Sequence, residues 1–240
     1  MSSSATHDLQ LTTHEFPVYA VLFDFGGTLD SDGVPWKERF FRLWIDEGAH
    51  VTREHFDRAF YAADDALVGS VPAEFPLDPT VSRLARGIAE GLGTADAFLP
   101  GRVAERFCEE SRRSLSSSGA ILERLSRRFR LGVVSNFYGN LAAVCREAGL
   151  DRFLSAAVDS AAVGCCKPDA AIFRAALDRL GADAAGTVFV GDSLERDMAG
   201  ARGVGMRHVL VAGGSAGRAR GGCCPQDPVV GSLAELESLF

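Results

Sequence analysis

The chain has 240 residues, 47% hydrophobic and 24% charged, with a formal net charge of -7; that is enough apolar material for one sizeable core, or for a core with a smaller module beside it. An acidic chain without a concentrated basic patch argues against a nucleic-acid partner, because phosphate backbones are held by clustered Lys and Arg. No segment reaches the roughly 18 uninterrupted apolar residues of a membrane-spanning helix, so no membrane partner is expected.

Residues 1–16 are Ser-, Thr- and His-rich, with neither the apolar segment nor the basic head of a secretory signal. They read as a loose tail, and the cytoplasm is the expected compartment. There the six cysteines, Cys108, Cys145, Cys165, Cys166, Cys223 and Cys224, are expected to be reduced thiols, since no C-x-x-C ligand spacing joins them.

The first firm element is a strand from Val18 to Phe23, a continuous apolar run of the kind covered on both faces. It runs into Asp24 and stops at Gly26 and Gly27. After Pro35 the spacing turns helical: Trp36, Phe40, Phe41, Leu43 and Trp44 form one stripe and Phe56, Ala59, Phe60, Ala63 and Leu67 another. A Pro-rich link from Val71 to Pro79 leads to two more predicted helices, about 80–91 and 95–115. Residues 34–115 thus read as a four-helix module. Ser116-Ser117-Ser118-Gly119 reads as a flexible boundary.

Beyond that boundary helices and strands alternate. Helices are predicted near 121–129, 141–148, 170–180 and 194–202, with Gly149 and Gly181 as stops. Strands are predicted near 131–134, 153–158, 188–190 and 208–211. This rhythm predicts an α/β fold: a doubly wound, Rossmann-like parallel sheet, built from 17–33 and 116–240, with the helical module inserted as a cap. Ala212 to Gln226 reads as a Gly-rich loop, and Ser232 as the cap of a final short helix.

Four stretches share one address in such a fold, the carboxyl edge of the sheet, where open α/β sheets bind ligands. Asp24 ends the first strand, Ser135 and Asn136 end the second, Lys167 precedes Pro168 in a strand-to-helix loop, and Asp192 follows Gly191 with Asp197 about a helical turn beyond. Three carboxylates brought together repel one another unless a cation sits among them. Mg²⁺ suits that position, since it takes oxygen ligands and keeps waters that a phosphate can replace. Asp24 then serves as a nucleophile toward phosphorus, with Ser135 and Lys167 on the phosphoryl oxygens.

These residues resemble the motifs of the haloacid dehalogenase superfamily of hydrolases. Asp24, Gly26 and Thr28 match its Asp-x-Asp-x-Thr; Ser135 matches the strand-end Ser or Thr; Lys167 the Lys before Pro; and Gly191, Asp192 and Asp197 the Gly-Asp-x-x-x-x-Asp. The resemblance covers nearly all of Val18 to Val211, in family order. It implies an Mg²⁺-dependent phosphatase acting on a small phosphorylated metabolite, as a monomer or homodimer. Asp24 and Lys167 would be catalytic, Thr28, Ser135, Asn136 and Lys167 would bind phosphate, and Asp24, the Gly26 carbonyl, Asp192 and Asp197 would hold the metal.

Gly26 departs from the family pattern. Phosphatases of the family usually carry an Asp there as general acid and base, a function worth about 10²–10⁴-fold. Several readings follow. The substrate has a good leaving group, or Asp30, Asp32, Asp46, Glu47 or His50 supplies the proton, or the reaction is the carbon–halogen cleavage of family members that also lack this Asp, or the protein is a phosphate-ligand binding module. Specificity is expected from the cap; its aromatics, Tyr61 among them, would suit stacking on a ring but read chiefly as the core of a helix pair, and Phe137, Tyr138 and Asn140 are better placed to line the site entrance.

Overall fold

The computed structural model describes residues 17–213 and 227–240. The expected tail, nearly all of the Gly-rich loop, and Cys223 and Cys224 lie outside the described residues.

Six parallel strands form one sheet in the order β3-β2-β1-β4-β5-β6. They are β1 (Ala20–Phe23), β2 (Arg130–Ser135), β3 (Ala156–Asp159), β4 (Thr187–Gly191), β5 (Arg207–Val211) and β6 (Val229–Val230). Alternating side chains of these strands feed two cores. Val21, Phe23, Val133, Val188 and Val190 join the large cluster that continues into the helical module, whereas Ala20, Leu22, Val134, Phe189 and Leu210 pack on the other face. Both faces being covered, β1 is wholly buried, which accounts for its unbroken apolar run. The chain leaves β1 toward β2 and β3 on one side and returns to β4 on the other. The order therefore reverses at β1, and the switch point opens a crevice at its carboxyl end.

The helical module comprises α1 (Trp36–Asp46), α2 (Arg53–Leu67), α3 (Leu77–Leu92) and α4 (Leu99–Ser126). Thr52 caps α2 by accepting from the His55 amide at 3.3 Å. The stripe residues Trp36, Phe40, Leu43, Trp44, Phe56, Phe60 and Leu67 are buried against one another, so most of the cap aromatics form a core. Tyr61, 51% exposed, does not.

Four expectations are corrected here. The run 116–119 is no boundary: α4 continues through it for 28 residues, because Ser118 is buried and donates to the Leu29 carbonyl at 2.7 Å while Leu115, Ile121 and Leu122 keep an apolar stripe on the same helix. The strand predicted at 153–158 begins at Ala156, after a short turn of helix over Asp151–Phe153. The helix predicted at 194–202 starts as a wide turn, Leu194–Met198, before α8 (Ala199–Gly203). Ser232 makes no side-chain cap for the last helical turn; the Leu233 amide is taken at 2.6 Å by Asp32 instead. The remaining helices are α5 (Leu141–Glu147), α6 (Ser160–Val163) and α7 (Ala170–Leu180).

Candidate active site

Asp24, Ser135 and Asp192 reach the crevice from strand ends, Lys167 and Asp197 from the loop and turn beyond them. Asp24 follows β1, Ser135 closes β2, and Gly191 closes β4 with Asp192 next in the chain. Lys167 lies between α6 and α7, where Asn136 grips it twice, accepting from its amide at 2.7 Å and donating to its carbonyl at 3.1 Å. Asn136 thus positions the lysine backbone. The Lys167–Pro168 peptide is cis.

The side chains meet at Asp24. Ser135 Oγ donates to Asp24 Oδ1 at 2.8 Å, and Lys167 Nζ donates to the same oxygen at 2.6 Å. Lys167 Nζ also donates to Asp197 Oδ1 at 2.6 Å, and the Ser193 amide holds Asp197 Oδ2 at 3.0 Å. Thr28 Oγ1 reaches Asp192 Oδ1 at 3.2 Å. Asp24 Oδ2 accepts no hydrogen bond from the described residues.

Glycines make this closeness possible. Gly27 has φ +98°, and a Cβ on it would meet Asp192 Oδ2 at 2.5 Å; one on Gly191 would meet Asp197 Oδ2 at 2.5 Å. Only backbone fits between these carboxylates.

Oxygens of Asp24, Asp192 and Asp197 lie within 4.8 Å of one another, and all three residues are buried. Asp192 Oδ2 is buried without a hydrogen-bond partner among the described residues. Burial, reinforced by Asp24 and Asp197, pushes the Asp192 carboxyl well above the usual range. Burial also raises Asp197, against the opposing pull of Lys167. For Lys167, burial opposes the cation, yet Asp197 and Asp24 outweigh it and raise its pKa. The Lys167 ammonium and the Arg196 guanidinium together do not balance three buried carboxylates, so the donor set fits a hard divalent cation with oxygen ligands. Gly26 lines the same cavity as Asp24, Ser135 and Lys167, a space of about 420 Å³.

The proton sources named from sequence lie elsewhere. Asp30 is fully buried and holds the Gly27 amide at 2.8 Å, Trp36 Nε1 at 2.7 Å and Arg39 Nη1 at 2.8 Å. Asp32 is taken by Leu233, and Asp46 and Glu47 by Arg106 and Arg102. His50 is exposed and lines no part of the cavity. Phe137 and Tyr138 do line it. Asn140 does not: it is buried, donating to Thr80 Oγ1 and the Phe75 carbonyl, each at 2.8 Å.

Arg196 and Asp64 line the cavity without having been anticipated there. Arg196 stands beside the carboxylates; burial works against its charge, but Asp24, Asp197, Asp192 and Asp64 hold it cationic. Its place immediately before Asp197 was the available signal. Asp64 reaches the cavity from α2, one turn beyond Tyr61, the cap aromatic that does line it; nothing local to Asp64 marks it in the sequence.

An Asp at a strand end, a lysine and a Gly-Asp-x-x-x-x-Asp acid pair at the switch point of a parallel sheet define a class, and the comparisons agree with it. The haloacid dehalogenase-like hydrolase family model matches residues 18–205. The chain belongs to that family of hydrolases. It is 30% identical over 206 residues to haloacid dehalogenase-like hydrolase domain-containing protein 3 of Danio rerio, covering 81% of this chain and 85% of that one. The proteins of the same name from Mus musculus and Bos taurus match over only 35% of their own length. A glyceraldehyde 3-phosphate phosphatase of Methanothermobacter thermautotrophicus is 33% identical over 98 residues, 40% of this chain and 43% of that one. Among solved structures, a dehalogenase with an intermediate complex shares the fold at 19% identity, with TM-score 0.63 over 94% of this chain and 98% of that one.

Proposed function

We propose that the protein is a divalent-cation-dependent phosphatase, with Mg²⁺ as the expected ion, acting on a small phosphorylated metabolite through a phosphoryl group carried on Asp24. One observation carries the metal-dependent reading: the three buried carboxylates, with Asp192 Oδ2 left without a partner. A reaction expelling halide needs no such cluster.

In this reading Asp24 Oδ2 attacks phosphorus while Ser135 Oγ and Lys167 Nζ, now on Asp24 Oδ1, turn to the phosphoryl oxygens. Lys167 stays charged between Asp24 and Asp197 and so meets the phosphate as a cation. Asp24, Asp192, Asp197 and the Gly26 carbonyl would hold the Mg²⁺, which offsets the charge gathered on the transferring phosphoryl group. Water then releases phosphate and restores the Asp24 carboxylate. The acidic, patch-free composition suits a small metabolite better than a nucleic acid. Among the described residues no helix is long and apolar enough to cross a membrane, which is compatible with work in the cytoplasm.

The absent acid at Gly26 favours a second reading, carbon–halogen cleavage. One panel separates them: purified protein with phosphomonoesters, acyl phosphates and 2-haloacids, with Mg²⁺ or EDTA, beside Asp24→Asn. Phosphate release that needs Mg²⁺ and vanishes in Asp24→Asn is expected. Halide release indifferent to EDTA overturns the proposal.

A further inference from the structure

Phosphoryl transfer from an alkyl ester needs a proton for the departing oxygen, and position 26 has no carboxyl to give one. The space beside it is filled as well: a Cβ on Gly26 would stand 3.2 Å from Trp36 Nε1. A proton donor must therefore reach the cavity from another element.

The cavity wall holds few candidates besides the nucleophile. Glu38 is clamped by Arg53 through two hydrogen bonds, at 2.8 and 2.5 Å, which hold its carboxyl below the usual range. It is therefore an anion at working pH. Glu195 is exposed to solvent. Lys37 is paired with Asp57 at 3.3 Å.

Asp64 differs from all of these. It is half-buried on the cavity side of α2, and its Oδ1 accepts a 2.5 Å hydrogen bond from Tyr138 Oη. Tyr138 is buried and lies three residues beyond Ser135, on the loop leaving β2. The same short loop thus connects the serine that touches Asp24 with the tyrosine that touches Asp64. Cap and core meet at this bond. Burial raises the Asp64 carboxyl above the usual range, opposed by the Tyr138 bond, reinforced by Asp65 on its own helix, and opposed weakly by Arg196. Burial pushes the tyrosine far up too, so its hydroxyl remains a neutral donor.

We infer that Asp64, held by Tyr138, is the general acid and base of this site, supplied by the cap in place of the carboxyl that Gly26 lacks. The assignment rests on the phosphatase reading above. In the first half-reaction the Asp64 proton passes to the ester oxygen as its bond to phosphorus breaks and the bond from Asp24 forms; the alcohol leaves neutral. In the second, the Asp64 carboxylate takes a proton from water as that water's oxygen bonds to phosphorus and the bond to Asp24 breaks. Phosphate leaves, and Asp64 is protonated again.

The test measures kcat/KM against leaving-group acidity, with a series of alkyl and aryl phosphates, for wild type, Asp64→Asn, Tyr138→Phe and Glu195→Gln. Asp64→Asn is expected to lose about 10²–10⁴-fold on alkyl phosphates, with the loss shrinking steadily as the leaving group becomes more acidic. An acid must be protonated to act, so wild-type kcat/KM on alkyl phosphates should fall as pH rises through the Asp64 pKa. Tyr138→Phe removes a bond that favours the carboxylate, so this limb should move to higher pH. That shift reads the assignment in a variant that keeps Asp64. An equal loss on all leaving groups in Asp64→Asn, an unmoved limb in Tyr138→Phe, or a selective loss in Glu195→Gln each overturns it. Absence of Asp24-dependent phosphate release in wild type instead removes the phosphatase reading itself.

Discussion

The Trp36 indole stands where a side chain on Gly26 would begin: its Nε1 is 3.2 Å from the position of the missing Cβ, while the same N–H donates to Asp30 at 2.7 Å. The indole edge packs on Phe137 and Phe107, with ring centroids 5.7 and 5.0 Å away. It has little room to retreat. Gly26→Asp is therefore expected to destabilise the protein by about 1–3 kcal/mol through overpacking, read as a lower urea midpoint. In a Trp36→Phe background the cost should shrink, since the two positions are in contact and couple.

The bond that fixes the indole belongs to a buried ion pair. Asp30 and Arg39 are fully or nearly fully buried, and Arg39 also donates to the Phe107 carbonyl and Ser111 Oγ at 2.9 Å. Asp30→Asn removes the buried partner of the Arg39 guanidinium, leaving it the longer, half-buried contact with Glu110 at 3.6 Å, and should cost about 3–5 kcal/mol in urea unfolding. Arg42→Ala, which breaks the exposed pair with Glu110, should cost about 1 kcal/mol or less. Similar losses for both would contradict the burial assigned to Arg39.

Asp192 predicts opposite effects with and without metal. Its carboxylate is buried near two others, with one oxygen unpaired among the described residues. Asp192→Asn should raise the melting temperature in EDTA by relieving that repulsion. Wild type should gain about 2.7 kcal/mol when free Mg²⁺ is 100 times its dissociation constant, and Asp192→Asn far less. Equal Mg²⁺ stabilisation of both proteins would remove Asp192 from the metal site.

The thiols should separate by burial. Burial, helped by Asp78, pushes the Cys108 thiol far up, and burial, helped by Asp151 and Asp159, pushes Cys145 up to about 12. Cys166 is exposed. Thiolate is the reactive form, so a disulfide-exchange reagent at neutral pH should label Cys166 in the native protein and leave Cys108 and Cys145 untouched until urea unfolds it. Peptide mapping of the labelled chain reads the result; rapid native labelling of Cys145 would refute it.

The sheet and the motif cluster were legible because their signal is local. An apolar strand that ends in Asp, Ser or Gly-Asp announces its chemistry within a few residues, and a parallel sheet brings all such ends to one edge. Asp24, Ser135, Lys167, Asp192 and Asp197 could be grouped on that basis alone. The serine run misled because Ser and Gly favour turns by local hydrogen bonding, whereas here Ser118 spends its hydroxyl on the Leu29 carbonyl and a Cβ on Gly119 would just touch Leu150. Tertiary packing overrode propensity. Asp64 and Tyr138 were illegible as a pair for the opposite reason: 74 residues separate them, and only the packing of the helical module on the sheet brings them into contact.

The unbroken α4 decides how this molecule can be taken apart. The helix is about 42 Å long at 1.5 Å per residue, and its Ser111 and Ser118 hydroxyls are bonded to Asp30 and Leu29, in the turn that follows Asp24. A fragment cut after Leu115 would divide one folding unit, leaving the Asp30 cluster with the first piece and the support of Leu29 with the second. A helical module exchanged between relatives should therefore carry all of Leu99–Ser126 and rejoin the recipient at Arg130, so that the donor helix meets β2 in its own phase.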